Sequence, residues 1–234
     1  LVVGNNNYRS LPKLDTAVKD ARVISRILEV EYGFSVTLLT DATRNDILKQ
    51  MNQYRKTLKP DDHFLVYYAG HGEFDKVAQK AYWLPVNAAP DDDTEWIIAD
   101  NITSNMKRIS SNHILVVSDS CYSGTLTRQA ITNLGTVEAR HRYIEKMLKK
   151  RSRTLIASGG NEPVADSGAD GHSVFALAFI EGLKEMDQQV FTAEEFFYEH
   201  IKERVAGNAD QTPEYNTIRN SGHSGGDFIF RQRY

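Results

Sequence analysis

The feature that most constrains this chain is a series of short apolar runs, each broken off by a polar or turn-forming residue. They are "LVVG" (1–4), "SVTLLT" (35–40), "HFLVYYAG" (63–70), "HILVVSDS" (113–120), "RTLIASG" (153–159) and "GDFIFR" (226–231). Runs of this length, rich in β-branched and aromatic residues, are strands, and their near-continuous apolar character means burial on both faces. Between them lie stretches with helical periodicity. Residues 16–30 place Ala17, Ala21, Ile24, Ile27 and Leu28 on one face, with Asp15 or Thr16 positioned to cap it. Residues 43–58 form a second helix, opened near Thr43 or Asn45 and closed before Pro60, and 173–186 and 192–206 are further helices. Strands alternating with helices give an α/β three-layer sandwich: a mostly parallel six-stranded sheet flanked by helices, with "GDFIFR" expected as its sixth strand.

In a sheet of this kind, sites form beyond the carboxyl ends of the strands. The informative segments are therefore "GNNN", "AGHGE", "SDSCYSG" and "SGGNEP". "AGHGE" sets His71 between two glycines; "SDSCYSG" contains Cys121, the only cysteine of the chain. A thiol beside an imidazole is the minimal machinery of nucleophilic acyl transfer. The imidazole takes the proton, the thiolate attacks a carbonyl, and the imidazolium protonates the leaving amine. Taken singly, each residue has a plainer reading: a cysteine after a strand is commonly a small buried hydrophobe, and a His-Gly is commonly a turn. Their occurrence at the ends of consecutive strands favours chemistry. Ser120 and Ser123 are rival nucleophiles without a base of their own. His172 reads as a capping or packing residue, and Asp166 and Asp170 as candidate supports of the site.

The 234 residues, 41% apolar and 25% charged, are those of an ordinary globular chain, organised as one domain over 1–234. A net charge of −3 does not suggest a nucleic-acid partner. No run approaches the roughly 18–20 apolar residues of a membrane span. A lone cysteine cannot form an internal disulfide, which fits a reducing, cytoplasmic compartment. Residues 125–152 form a basic linker containing Arg128, Arg140, Arg142, Lys146, Lys149, Lys150 and Arg151. It divides a portion 1–124 from a portion 153–234.

"FLVYYAGHGE" followed by "ILVVSDSCYSG" resembles the caspase and metacaspase branch of cysteine peptidases, including the bacterial caspase-like domains. "LVVGNNNY" with the helix after it, and "RTLIASGGNEPVADSGADGHSVFALAFIEGLK", extend the resemblance through most of the chain. It implies the caspase-like fold, His71 as general base and acid, Cys121 as nucleophile, and the backbone N–H groups of Gly72 and Cys121 as oxyanion hole. Asp119 matches the aspartate two positions before the metacaspase cysteine, and Asp20 the acidic residue of a motif in the first helix. Together they imply a pocket for arginine or lysine, which agrees with the preference of a guanidinium for carboxylates. Substrates are then proteins or peptides with basic residues, and the basic linker is a ready site of autoprocessing. Ala17 and Ala69 stand where many relatives carry cysteine and serine. Calcium is the ion the resemblance raises, but Asp91, Asp92 and Asp93 do not match a spaced ligand pattern, so no cofactor is expected. The resemblance also implies a monomer, with regulatory domains or partners outside this sequence. The alternative function is a catalytically silent scaffold of the same fold; retention of both His71 and Cys121 argues against it.

Overall fold

The computed structural model describes residues 1–120, 137–159 and 169–233. In chain order the elements are β1 (Val2–Gly4), α1 (Ala17–Val30), β2 (Leu38–Thr40), α2 (Arg44–Thr57), β3 (His63–Ala69), β4 (Gly72–Asp75), β5 (Lys80–Trp83), β6 (Ile97–Ile98), α3 (Ala99–Arg108), β7 (His113–Asp119), α4 (Val137–Leu148), β8 (Ser152–Ala157), α5 (Val174–Glu185), β9 (Val190–Thr192), α6 (Ala193–Phe196), α7 (Lys202–Asn208), β10 (Glu214–Thr217) and β11 (Ile229–Arg231). A π-helical turn (Phe197–Ile201) joins α6 to α7, so the helix expected over 192–206 is interrupted rather than uniform.

The main sheet has six strands in the order β10-β8-β7-β3-β1-β2. All its pairs are parallel except β10 with β8. Alternation along the strands builds two cores. Leu65, Tyr67, Ala69, Leu115 and Val117 face α1 and α5, whereas Phe64, Val66, Tyr68, Ile114 and Val116 face α2 and α3. β1 and α1 approach so closely that a Cβ on Gly4 would lie 2.4 Å from the Ala17 carbonyl oxygen.

The sixth strand is not the one expected. β10, polar and four residues long, takes the sheet edge, while "GDFIFR" supplies β11, which pairs antiparallel with β9 in a separate two-stranded sheet. The reason lies just upstream. Gly222 and Gly225 adopt positive φ, and a Cβ on Gly226 would lie 2.1 Å from the Lys150 carbonyl oxygen. That glycine-rich turn redirects the chain, and Phe228 and Phe230 enter the α1–α5 core with no exposure. The caps differ too. Thr43 and Asp46 form a reciprocal capping box on α2. Thr16 opens α1 without a side-chain cap; instead Asn6 Oδ1 accepts from Val18 N–H at 2.9 Å. The short sheet β4-β5-β6 and α3 were not expected from the sequence. Among the described residues no helix is long and apolar enough to cross a membrane.

Candidate active site

His71 follows β3 and precedes β4, at the carboxyl end of the main sheet. Its main-chain N–H donates to Tyr8 Oη at 2.7 Å, and its carbonyl accepts from Leu84 N–H at 3.0 Å and Tyr68 Oη at 3.0 Å. The imidazole packs against the Tyr8 ring, with centroids 4.5 Å apart. Its Nε2 lies 2.8 Å from the Pro12 carbonyl oxygen. A carbonyl only accepts, so Nε2 carries the proton and, in the neutral ring, Nδ1 is left with the basic lone pair.

Tyr8 and Pro12 belong to the loop after β1, and three asparagines hold that loop. Asn5 Oδ1 accepts from Ala42 N–H at 2.8 Å. The N–H groups of Asn6 and Asn7 both donate to Asp41 Oδ1 at 2.8 Å, and Asn7 Nδ2 donates to Asp41 Oδ2 at 2.7 Å. Burial pushes the Asp41 carboxyl up, but the donors from Asn7 and Asn6 outweigh it and hold it below the usual carboxylate range. "GNNN" first reads as turn chemistry; the structure makes it the anchor of the groups that orient His71.

Gly72 sits opposite Trp83 in the β4–β5 register. Leu84 N–H bonds the His71 carbonyl, and bonded and non-bonded positions alternate in an antiparallel pair, so the Gly72 N–H points away from β5. Cys121 lies outside the described residues, as do Ser123 and Asp166. The strand leading to Cys121 is well defined: Ala69 pairs with Asp119, and Gly70 N–H donates to the Asp119 carbonyl at 3.3 Å. His71 and Cys121 thus each follow, by two residues in sequence, the members of one register pair. Ser118 and Ser120 face the opposite side from Asp119. Trp83 Nε1 donates to Ser118 Oγ at 2.9 Å, and the two serine hydroxyls are 2.8 Å apart. Ser120 therefore ties down the strand end.

Strand parity turns Asp119 toward α1 and α5, where it meets Asp20. Ser173 joins the two: its Oγ donates to Asp119 Oδ2 at 2.6 Å, and its N–H donates to Asp20 Oδ2 at 3.2 Å. The same Oγ accepts from Ala176 N–H at 2.9 Å and caps α5. Asp20 Oδ1 contacts His172 Nδ1. His172, read from the sequence as a capping or packing residue, is thus part of the carboxylate cluster, and Ser173 does the capping. Both aspartates are buried. Burial raises the Asp20 carboxyl above its ordinary value, against the lowering effect of His172 and Ser173. Burial also drives the Tyr67 phenol well up, helped by the charges of Asp119 and Asp20. Asp170 enters through its backbone, its carbonyl accepting from Lys19 Nζ at 2.5 Å.

A sequence-family model described as "Caspase domain", within a peptidase family, matches residues 1–221. The chain belongs to the caspase-domain family. Relatives include a metacaspase-1 from Meyerozyma guilliermondii (26% identity over 148 residues, 53% of this chain and 35% of that protein). Another is human mucosa-associated lymphoid tissue lymphoma translocation protein 1 (33% over 72 residues, 31% of this chain and 9% of that protein). This chain thus spans about a third or less of the curated relatives it matches. Among solved structures, a protein from Geobacter sulfurreducens superposes with a TM-score of 0.63 at 19% identity, covering 95% of each chain. Caspase-1 from Spodoptera frugiperda does so with a TM-score of 0.63 at 14% identity, covering 92% of this chain and 84% of the other. These likenesses establish the caspase-like fold.

Asp92 Oδ1 accepts from Thr94 N–H at 2.9 Å, closing a short turn within the aspartate run 91–93.

Proposed function

We propose that this caspase-domain chain is a cysteine endopeptidase that cleaves after arginine or lysine. The observation that carries this reading is the convergence of Asp20 and Asp119 on Ser173, at the sheet end that also presents His71. Two carboxylates at one point favour a guanidinium or ammonium and repel an acidic side chain. In the proposed reaction, His71 Nδ1 takes the Cys121 thiol proton and the thiolate attacks the scissile carbonyl. The N–H groups of Gly72 and Cys121 receive the oxyanion. The imidazolium then protonates the leaving amine, and His71 activates the water that hydrolyses the acyl-enzyme. The Pro12 carbonyl supports this division of labour by reserving Nε2 as a donor. Autoprocessing in 125–152 belongs to the same reading, since that linker supplies arginines and lysines to such a pocket.

Fluorogenic peptides ending in Arg, Lys or Asp, assayed with and without calcium, test the proposal. Turnover is expected for Arg and Lys, none for Asp, and none in Cys121→Ala. Asp119→Ala is expected to lower kcat/KM for Arg by about 100-fold or more, the cost of leaving a buried cation unpaired. Turnover of the Asp peptide alone, or an Asp119→Ala variant with unchanged rate, would refute the pocket.

A further inference from the structure

The two pocket aspartates are not equally available. Asp20 has no exposure, and both its oxygens are engaged: Oδ1 by His172 Nδ1, Oδ2 by the Ser173 N–H. The His172 side chain retains 12% exposure against 0% for Asp20, so a group arriving from solvent meets the imidazole before the carboxylate. An arginine or lysine side chain that is to reach Asp20 needs the oxygen that His172 holds.

The charged and titratable neighbours define the competition. From α1, Asp20 faces His172, and Lys19 lies alongside, its Nζ held by the Asp170 carbonyl. Through Ser173 the cluster extends to Asp119 of β7 and to Tyr67 of β3. The imidazole engages one of the two carboxylates; so would a substrate cation. They are alternative partners for one buried anion, and a buried charge without a partner is costly. Asp20 therefore has reason to keep one of them at all times.

Resting on the Arg/Lys reading, we propose that His172 is a specificity-determining gate: its imidazole occupies Asp20 while the pocket is empty and yields it to the basic side chain of the substrate. One consequence follows from chemistry alone: arginine, with its planar fork, displaces the ring more readily than lysine, a point charge.

The test uses the full chain and peptides that differ only in arginine, lysine or citrulline before the scissile bond. Wild type, His172→Ala and His172→Gln are compared at pH 7.5. Glutamine keeps a neutral donor for Asp20 and guards against misfolding in the alanine variant. Both variants are expected to lower KM for the arginine peptide, the alanine variant by about five- to tenfold. The citrulline peptide is expected to show no such change. An arginine KM that is unchanged or higher in both variants overturns the gate while leaving the Arg/Lys reading intact. If wild type turns over other peptides but none ending in arginine or lysine, the reading itself fails and the gate with it.

Discussion

His71 is fixed by groups that lie far from it in sequence. Tyr8 supplies both an acceptor for its main-chain N–H and a ring surface for its imidazole, and burial pushes the Tyr8 phenol up to about 12, so it stays a neutral hydroxyl. Replacing Tyr8 by Phe keeps the ring and removes only the hydroxyl, leaving the His71 N–H without this acceptor. Such a loss costs about 1–3 kcal/mol of stability. The expected outcome for Tyr8→Phe is a folded protein with a lower melting temperature and a kcat reduced about tenfold, with KM for Arg peptides little altered. A change confined to KM would mean that Tyr8 serves the pocket and not the base. At this scale His71 and Cys121 drew attention by their places after consecutive strands, and Asp20 and Asp119 only through the family resemblance; in the structure Ser173 joins the two aspartates. The sequence concealed Tyr8, Pro12 and Asp41, whose contribution is a hydroxyl, a backbone carbonyl and a set of accepted N–H groups. Any residue has a carbonyl; only the folded loop decides which one faces an imidazole. Nor did His172 stand out, because its partner is more than a hundred residues away.

Elements were legible where a long apolar period repeats and illegible where geometry is set by neighbours. β3 and β7, seven residues each and almost wholly buried, announce themselves. β10 does not: "EYNT" has one large apolar residue and becomes a strand by pairing with β8. α4 bears on the proposed autoprocessing. It is the carboxyl half of the basic linker, and it is docked. Arg140 reaches Glu195 with both guanidinium nitrogens, at 2.5 and 3.1 Å, and the Val190 carbonyl at 3.0 Å, while Ile144 is buried. At the far end, Arg151 N–H donates to Ser224 Oγ at 2.9 Å. A protease that reads an extended segment must unwind a helix before cutting it, so Arg140 and Arg142 are protected by their own element. Lys146 lies in the same helix, and the N–H groups of Lys149, Lys150 and Arg151 are engaged by Glu145, Met147 and Ser224; Arg128, the one basic residue of the sequence 121–136, is then the expected point of self-cleavage. Intact-mass analysis should find fragments ending at Arg128 in wild type and a single mass in Cys121→Ala. Glu195→Ala removes the bidentate clamp and is expected to add cuts at Arg140 or Arg142. Cutting at Arg140 in wild type would contradict the protection.

Across the whole molecule, the stability of the fold is tied to pH by groups that lie away from the candidate site. Asp227 is fully buried at the start of the β11 segment; burial raises its carboxyl to about 6, against the lowering effect of the Tyr215 hydroxyl and the Glu194 N–H. Half-buried Glu194 is raised to about 7 by burial first, then by the charges of Asp227 and Glu195. His63, stacked on His113, moves the other way, to about 4, through burial and then the charge of its neighbour. The signs oppose. An acid whose folded pKa is raised gives stability that is complete below the ordinary carboxyl range and lost as pH rises through 6 to 7. A histidine whose folded pKa is lowered gives stability that is present above the ordinary imidazole range and lost as pH falls toward 4. Glu194→Gln keeps the shape of the protonated acid and cannot ionise. It should match wild type near pH 4.5 and exceed it at pH 8 by about 1–2 kcal/mol, once solvent screening of a half-buried group is allowed for. Denaturant melts of both proteins at a series of pH values read the difference directly. A stability offset that is the same at pH 4.5 and pH 8 would show that Glu194 acts through packing and not through its charge.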